Sequence, residues 1–592
     1  MPAIRIGAKP LLLPADVQLA LERNSSWLAP REQNGSFSLP FKAPLTDNRH
    51  NNALLGFPER FDHAGRPPRR YDQVQAFDDT DNRVAAGQLV LQGIEQDGYS
   101  LNLVCGLSAV MTRLKQKSLR EFWFGGPRQV CAGTVNNWGE LSDLIGQHML
   151  DVVDDVDAYD YVFAPFCNND AYADHDDKLP HWPNMNNWVN DGFQIHNGYS
   201  PPAPGATDPS MVFDPATVTS CVPLPKLAYV LAMIFEELDI PFEQDLFTDR
   251  ELRQMVVLST TPIEYNTDWY DWTTSADINL TFRIANQLPD ISAAEFVRLI
   301  ADTYYLDLDL SPAGAVRLRR TNRLSTARPA QDLTKLVGPG FTRDFAELAV
   351  RATYLTEDTV AGKLTQEVEP PLLAEPVQSS LNLPTPSRPN EIRLATFDNL
   401  YYQHDGEEWR PYAVNLPPVV VGNGENPQDV PQGILLSVEL NVPATPSDGV
   451  SLRVPVIGQR AYLPLLNQLE RGKGLRLAFY RGIQPGYGRS YPMVSISNQN
   501  INRGRIGNYS LYLDGEDGLV AKFGQLYLQM LAEQPAKFPA YLTGYDFDTL
   551  NFGEPVSVRG DIFLIRRANV VLPITRPGTL ELVPRRNYGN TI

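Results

Sequence analysis

Hydrophobic and polar positions alternate along much of the chain, and the period changes at a few marked points. Leu89, Leu91 and Ile94 stand among polar residues, Asp97-Gly98 supplies a turn, and Tyr99, Leu101 and Leu103 follow with period two. That pattern predicts a β-hairpin. Gly35 to Phe41 also alternates, with Phe37, Leu39 and Phe41 on one side, and Pro40 predicts a strand at a sheet edge. Between Ala109 and Phe122 the spacing of Val110, Leu114 and Leu119 among basic residues predicts an amphipathic helix. Leu141 to Val153 reads as a second helix. Leu224 to Leu238 reads as a buried third, with Lys226 and Glu236-Glu237 near its ends.

Ser292 followed by Glu295 is a capping-box signal, and Phe296, Leu299 and Ile300 give the helix an apolar face. Tyr304 to Leu310 then alternates as a strand, Gly314 turns the chain, and Val316, Leu318 and Arg320 return. Prolines punctuate the stretch from about 360 to 435. Beyond it, Leu452, Val454, Leu475, Leu477 and Phe479 are core candidates. A helix is expected after Asp514 to Gly518, carrying Leu519, Phe523, Leu526, Tyr527 and Met530 and ending before Pro535. The chain closes in β structure at Val556 to Val558, Ile562 to Leu572 and Leu580 to Val583. No fixed-period repeat is present, which argues against solenoids and propellers.

These segments divide the chain into an N-terminal barrel-like β domain (1–105), an α+β domain with long aromatic and acidic loops (106–285) and a small α+β unit (286–360). A proline- and glycine-rich linker or loop insertion (361–435) and a C-terminal β-rich domain with one helix (436–592) follow. The fold class is mixed, mainly β with α+β parts, and multidomain, as the 592 residues require. Glycine (41) and proline (49) are abundant enough to fit many turns and short strands. A net charge of −19 argues against a dominant grip on nucleic acid or an anionic bilayer. Cys105, Cys131, Cys167 and Cys221 form no CxxC and read as reduced, buried thiols. The N-terminus carries no signal-peptide pattern, and the apolar runs are too short and interrupted to span a bilayer.

No HExxH, GxxxxGK[ST], GxSxG or strand-anchored GxGxxG occurs, and seven histidines are a sparse supply for general-base work, so an enzyme is not expected. The richest polar cluster holds Asp170, Asp174, Asp176 and His181, competent ligands for a divalent ion, yet their spacing fits no EF-hand. A solvated acidic loop is the reading there, and no cofactor is expected. Asp151, Asp154, Asp155, Asp157 and Asp160 make a second acidic run, read as a charged face. Asp307 and Asp309 share one strand face. They could pair as glycosidase carboxylates, but outward polar positions of a half-buried strand explain them as well. In Asp514 to Gly518 the expected role is mechanical, with Asp517 capping the next helix and Gly515 or Gly518 at positive φ. Arg66, Arg69 and Arg70 flank Pro67-Pro68, a basic turn that could contact an acidic protein neighbour or simply be exposed. Trp182, Trp188 and Tyr199 are candidates for stacking on sugar or for packing the loops.

The order of segments resembles the central baseplate hub proteins of phage tails and contractile injection systems, in the form found in Bacteroidetes-type phages and prophages. Gly35-Ser36-Phe37-Ser38-Leu39-Pro40-Phe41, Pro44 to Asn48, Leu55-Gly56-Phe57-Pro58 and Gly87 to Leu91 are similar to the start of that group. Glu295 to Ile300 with Tyr305 to Leu308 is similar to its middle. Tyr509-Ser510-Leu511, Gly515 to Leu519, Ile562 to Ile565 and Gly578 to Val583 are similar to its end. The resemblance implies barrel-like tube domains, a homotrimer, and a place in the virion's tail baseplate after assembly in the host cytoplasm. Its implied partners are the tail tube or distal tail protein and a spike or central fibre. It implies no specific nucleic-acid site, though DNA passes through the lumen, no stable membrane insertion and no catalytic residues. Two other readings are a carbohydrate-binding or carbohydrate-active multidomain β protein and a peripheral or receptor-binding baseplate protein.

Overall fold

The computed structural model describes residues 2–26, 35–45, 49–60, 68–130, 138–168, 184–189, 192–193, 217–218, 220–265, 281–311, 314–325, 327–343, 351–353, 392–395, 400–404, 409–411, 420–422, 434–435, 438–443, 451–457, 474–486, 489–502, 504–512, 515–524, 527, 530, 533–574 and 576–585. The architecture is mainly β, with several sheets, a few helices and two large cores.

The chain opens with β1 (Ala3–Ile6), β2 (Lys9–Leu11), β3 (Leu19–Asn24), β4 (Gly35–Ser38), β5 (Phe41–Pro44), helix α1 (Arg49–Leu54), β6 (Arg70–Phe77), β7 (Arg83–Ile94) and β8 (Gly98–Cys105). The hairpin read from alternation forms with Leu91 opposite Leu101 and Leu89 opposite Leu103, and Tyr99, Leu101 and Leu103 are wholly buried. Pro40 does not put the strand before it at an edge, although β5 after it pairs with β8 alone. β4 is interior, between β3 and β8, and ends before Leu39, which is half-exposed. The chain then corners, so that Phe41 starts β5 opposite Leu101. The missing proline N–H falls at that corner, where no ladder bond is needed.

The second core gathers α2 (Leu107–Lys115), α3 (Trp138–Asp154), α4 (Leu227–Glu237) and α5 (Ala293–Thr303), then β9 (Leu306–Leu310) and β10 (Val316–Arg320). Ser292 Oγ accepts the Glu295 N–H at 3.2 Å, as the capping signal predicted, and the apolar face of α5 is buried. Replacing Ser292 with alanine is expected to cost about 1 kcal/mol in chemical denaturation, because the Glu295 N–H would lose its acceptor. The helix expected over Ala109 to Phe122 is broken. α2 stops at Lys115, and Ser118 caps a separate 3₁₀ turn at Leu119–Glu121. The interruption is tertiary: the Leu119 N–H donates to Ile291 O, and the Ala293 N–H donates to Lys117 O.

The chain returns to the first sheet as β11 (Thr342–Arg343), β12 (Ala536–Ala540), β13 (Asp561–Leu572) and β14 (Gly578–Pro584). The result is a fourteen-stranded sheet whose main path runs β2-β1-β6-β7-β8-β4-β3-β13-β14-β12-β11. Leu19 pairs with Leu572 and Asn24 with Arg567, so strands from the first and last expected domains share one sheet and one core. That path is open at both ends, and no closed barrel forms among the described residues. At one end Asn51, fully buried, caps the chain just past β2: its Oδ1 accepts the Leu12 N–H and its Nδ2 donates to Leu12 O, both at 2.9 Å. The other end is a two-residue strand. Both devices blunt an edge. Of the expected 361–435 insertion, only short strands such as Leu400–His404 lie within the described residues.

Candidate functional site

The two cores meet at a buried cluster of charges. Strand period two puts Asp307 and Asp309 of β9 on one face, and antiparallel register sets Arg319 and Arg317 of β10 opposite them. Arg323 joins from the 3₁₀ turn Thr321–Ser325. The loop ahead of the strand Val556–Val558 closes over this face with Gly553 and Glu554, and Ser26 approaches from the end of β3. Arg317 Nη2 lies 2.8 Å from Asp309 Oδ2. Arg319 and Arg323 reach the same Glu554 oxygen at 3.0 and 2.8 Å and the same Asp307 oxygen at 3.4 and 3.3 Å. Both also donate to Gly553 O, and Ser26 Oγ donates to Asp307. A Cβ at Gly553 would stand 2.1 Å from Arg319 Nη2 and 2.4 Å from Asp309 Oδ2, so any larger residue there would displace the ion-pair side chains.

Three guanidinium groups thus balance the carboxylates of Asp307, Asp309 and Glu554, with Asp307 and Arg319 buried at the centre and Arg323 and Glu554 half-buried at the rim. Burial, and for Asp307 the nearby Asp309 charge, push both aspartates above the usual carboxylate range, while the arginines pull them back. The pair that the sequence offered as glycosidase carboxylates is therefore committed to arginines, under a loop. Asp307 does not face outward to solvent; its side chain is 3% exposed. Chemically, the arrangement is a cross-link between layers.

A second cluster lies around the start of α4. Lys226 occupies the residue before that helix and is 5% exposed. Burial pulls its pKa down to about 8, against the attraction of Asp157, Asp160 and Asp155. His148 of α3 stacks on Tyr161 and meets Tyr159 and Phe163 edge-on. Burial lowers its pKa, Lys226 adds to the shift, and Nε2 finds no hydrogen-bond partner among the described residues. Asp160 pairs with Arg128 at 2.7 Å, and burial pushes its carboxyl up.

A polar cleft of about 490 Å³ lies between the C-terminal end of α2 and the capped start of α5, lined by Lys115, Ser118, Glu121, Asp290, Ser292 and Glu295. Its carboxylates are partly committed: Glu121 accepts the Ser118 N–H, and Asp290 pairs with Arg120.

Asp170, Asp174, Asp176 and His181 lie outside the described residues, as do Arg66, Cys131, Trp182, Tyr199 and Asp514. No group of three or more metal-ligating side chains assembles among the described residues. Trp188 is buried and pairs with Phe193 in a short hairpin, so it packs a core and offers no open stacking face. Asp154, the last residue of α3, and Asp155 and Asp157 just beyond it are exposed, as read, whereas Asp151 and Asp160 are half-buried. Asp517 does not cap the helix after it. Its carboxylate instead meets Arg505 and Lys522, each at 2.8 Å, and Asn498. Gly515 does take positive φ, and Val520–Gly524 forms a π turn. Cys105, Cys167 and Cys221 are buried, and burial pushes the Cys105 and Cys167 thiols up to about 12. No described helix is long and apolar enough to cross a membrane.

The sequence reading missed the arginine side of the junction and a second ion pair, Glu251 with Arg481, that fastens the 249–253 turn to the 508–509 backbone. The alternation Arg317, Arg319 against Asp307, Asp309 was the available signal for the first. Partners 230 residues apart left none for the second.

No protein-family model matches the chain, and no curated protein matches it. Among solved structures, the chain is similar to the 43 kDa tail protein of prophage MuSo2 from Shewanella oneidensis, at 8% sequence identity and a TM-score of 0.31. That similarity covers 99% of this chain and 98% of the other.

Proposed function

We propose that this chain is a structural subunit of a phage-tail-type baseplate, a trimeric central hub joining the tail tube to a spike or central fibre. The observation that carries the proposal is the junction. A sheet built from both ends of the chain is cross-linked to a second core by three arginines and three carboxylates around the buried Asp307–Arg319 pair. Groups that catalysis would keep accessible are used to hold layers together, which suits a part that transmits force and holds shape. The segment resemblance described above supplies the specific role. In that role the open sheet contributes to a barrel-like wall once copies assemble around a common axis, since closed symmetry ends assembly where an open contact would continue it. Its place is the virion tail, reached after assembly in the host cytoplasm.

Light scattering with negative-stain imaging of the same sample tests this. The expected particle has three times the chain mass of 66.1 kDa and a central hole. A six-subunit ring would move the protein to another baseplate position. A monomer at every reachable concentration would overturn the hub reading.

A further inference from the structure

Trp123 is 56% exposed, and the backbone beneath it is built to keep it so. The N–H groups of Trp123 and Phe124 donate to the two carboxylate oxygens of Glu237, at 2.8 and 2.5 Å. Tyr229 Oη donates to Phe124 O at 3.0 Å. Phe124, Gly125 and Gly126 take φ of 45°, 73° and 84° in succession. A non-glycine residue there is strained and persists only where its surroundings over-determine it. Gly126 lies so close beneath the indole that a Cβ would sit 2.5 Å from Cζ2. Arg283, on the strand paired with Pro127–Gln129, places its guanidinium 5.1 Å from the ring centroid. Arg283 has no ion pair among the described residues.

We propose that Trp123 and Arg283 form an anchor through which a second copy of this chain docks. The inference rests on the self-assembling role proposed above. Tryptophan and arginine are among the residue types most enriched where a few side chains dominate binding energy at protein interfaces. Charge selects the partner. Copies carrying −19 each repel one another, so contact is favoured where the local sign is reversed. Of the five basic residues at 113–128, Lys117, Arg120 and Arg128 are balanced by acids, so the positive excess comes from Arg113, Lys115 and Arg283, which have no ion pair among the described residues, against the single acid Glu121. Nucleic acid is the poorer fit. Lys117, Arg120 and Arg128 are already paired with Glu237, Asp290 and Asp160, leaving too few cations to hold a phosphate backbone.

The test compares full-length wild type, Trp123→Ala, Arg283→Glu and Tyr545→Ala by sedimentation across a concentration series. Tyr545 is an aromatic at least as exposed, on another element, and unchanged circular dichroism and melting qualify each variant. Trp123→Ala is expected to weaken self-association on the order of 30-fold. Arg283→Glu should weaken it too, Tyr545→Ala should leave it unchanged, and added salt should weaken the wild type. Trp123→Ala assembling as wild type would overturn the anchor and leave the hub reading standing. A wild type that never associates would overturn both. Single-stranded DNA binding lost in Trp123→Ala, with assembly intact, would reassign the surface.

Discussion

Replacing Arg319 with leucine is expected to cost about 3–5 kcal/mol of stability, read as a fall in the calorimetric transition that contains both cores. The side chain reaches Asp307, Asp309, Glu554 and the carbonyl of Gly553 at once. Its loss leaves a buried cluster with one excess negative charge, and an uncompensated buried charge costs far more than a surface pair. Lysine at 319 keeps the charge but lacks the planar fork, so it should recover only part of the loss. The pH dependence has a definite sign. Asp307 is an acid whose folded pKa is raised, so the folded state holds more protons than the unfolded one between the ordinary aspartate range and that raised value. Stability therefore falls as pH rises through that window. Removing Arg319 removes a cation that pulls Asp307 down, so the window widens, and the penalty should be larger above neutral pH than at pH ~5. A loss under ~1 kcal/mol at both pH values would mean that the cluster behaves like solvated surface pairs and does not join the cores.

That junction also shows where legibility in the sequence ends. The α5–β9–β10 unit could be read whole because every signal in it is local: a capping serine, an apolar face, period-two alternation and a glycine at the turn. Alternation also placed Asp307 and Asp309 on one face. It could not show what covers that face, because Gly553 lies 234 residues from Arg319. The same limit hid the pairing of β3 with β13, since alternation assigns a strand its faces and says nothing of its neighbour. Two local rules were outvoted by tertiary contacts. Pro40 sits at a corner between the interior strand β4 and β5, which pairs with β8 alone, and α2 is cut short where backbone from Ile291 to Ala293 takes the hydrogen bonds of Lys117 and Leu119. For Trp123 a signal was present. Phe-Trp-Phe-Gly-Gly puts paired glycines after an aromatic run, a sequence suited to turning the backbone sharply under a large side chain.

Replacing Lys226 with methionine is expected to stabilise the protein by about 2–3 kcal/mol at pH ~7. Lys226 precedes α4, where the unbonded N–H groups already supply partial positive charge, and burial leaves its ammonium poorly solvated. Asp155, Asp157 and Asp160 attract it, Arg253 opposes it, and the balance brings the pKa down to about 8 from 10.5. Below that value the group is charged both folded and unfolded, so the full cost of the buried charge is present. As pH rises from 8 to 10.5 the folded state sheds the proton first, and wild-type stability climbs toward that of the variant. The gain should thus be flat below pH 8 and shrink above it, as measured by denaturation at several pH values. His148 provides an independent readout. The Lys226 charge helps hold its pKa below 6.5, so the imidazole of Lys226→Met should titrate higher in proton NMR, although burial among Tyr161, Tyr159 and Phe163 persists. A destabilised variant with an unmoved imidazole would show that Lys226 is held by its three carboxylates as a net stabilising group, the opposite of the balance argued from its burial.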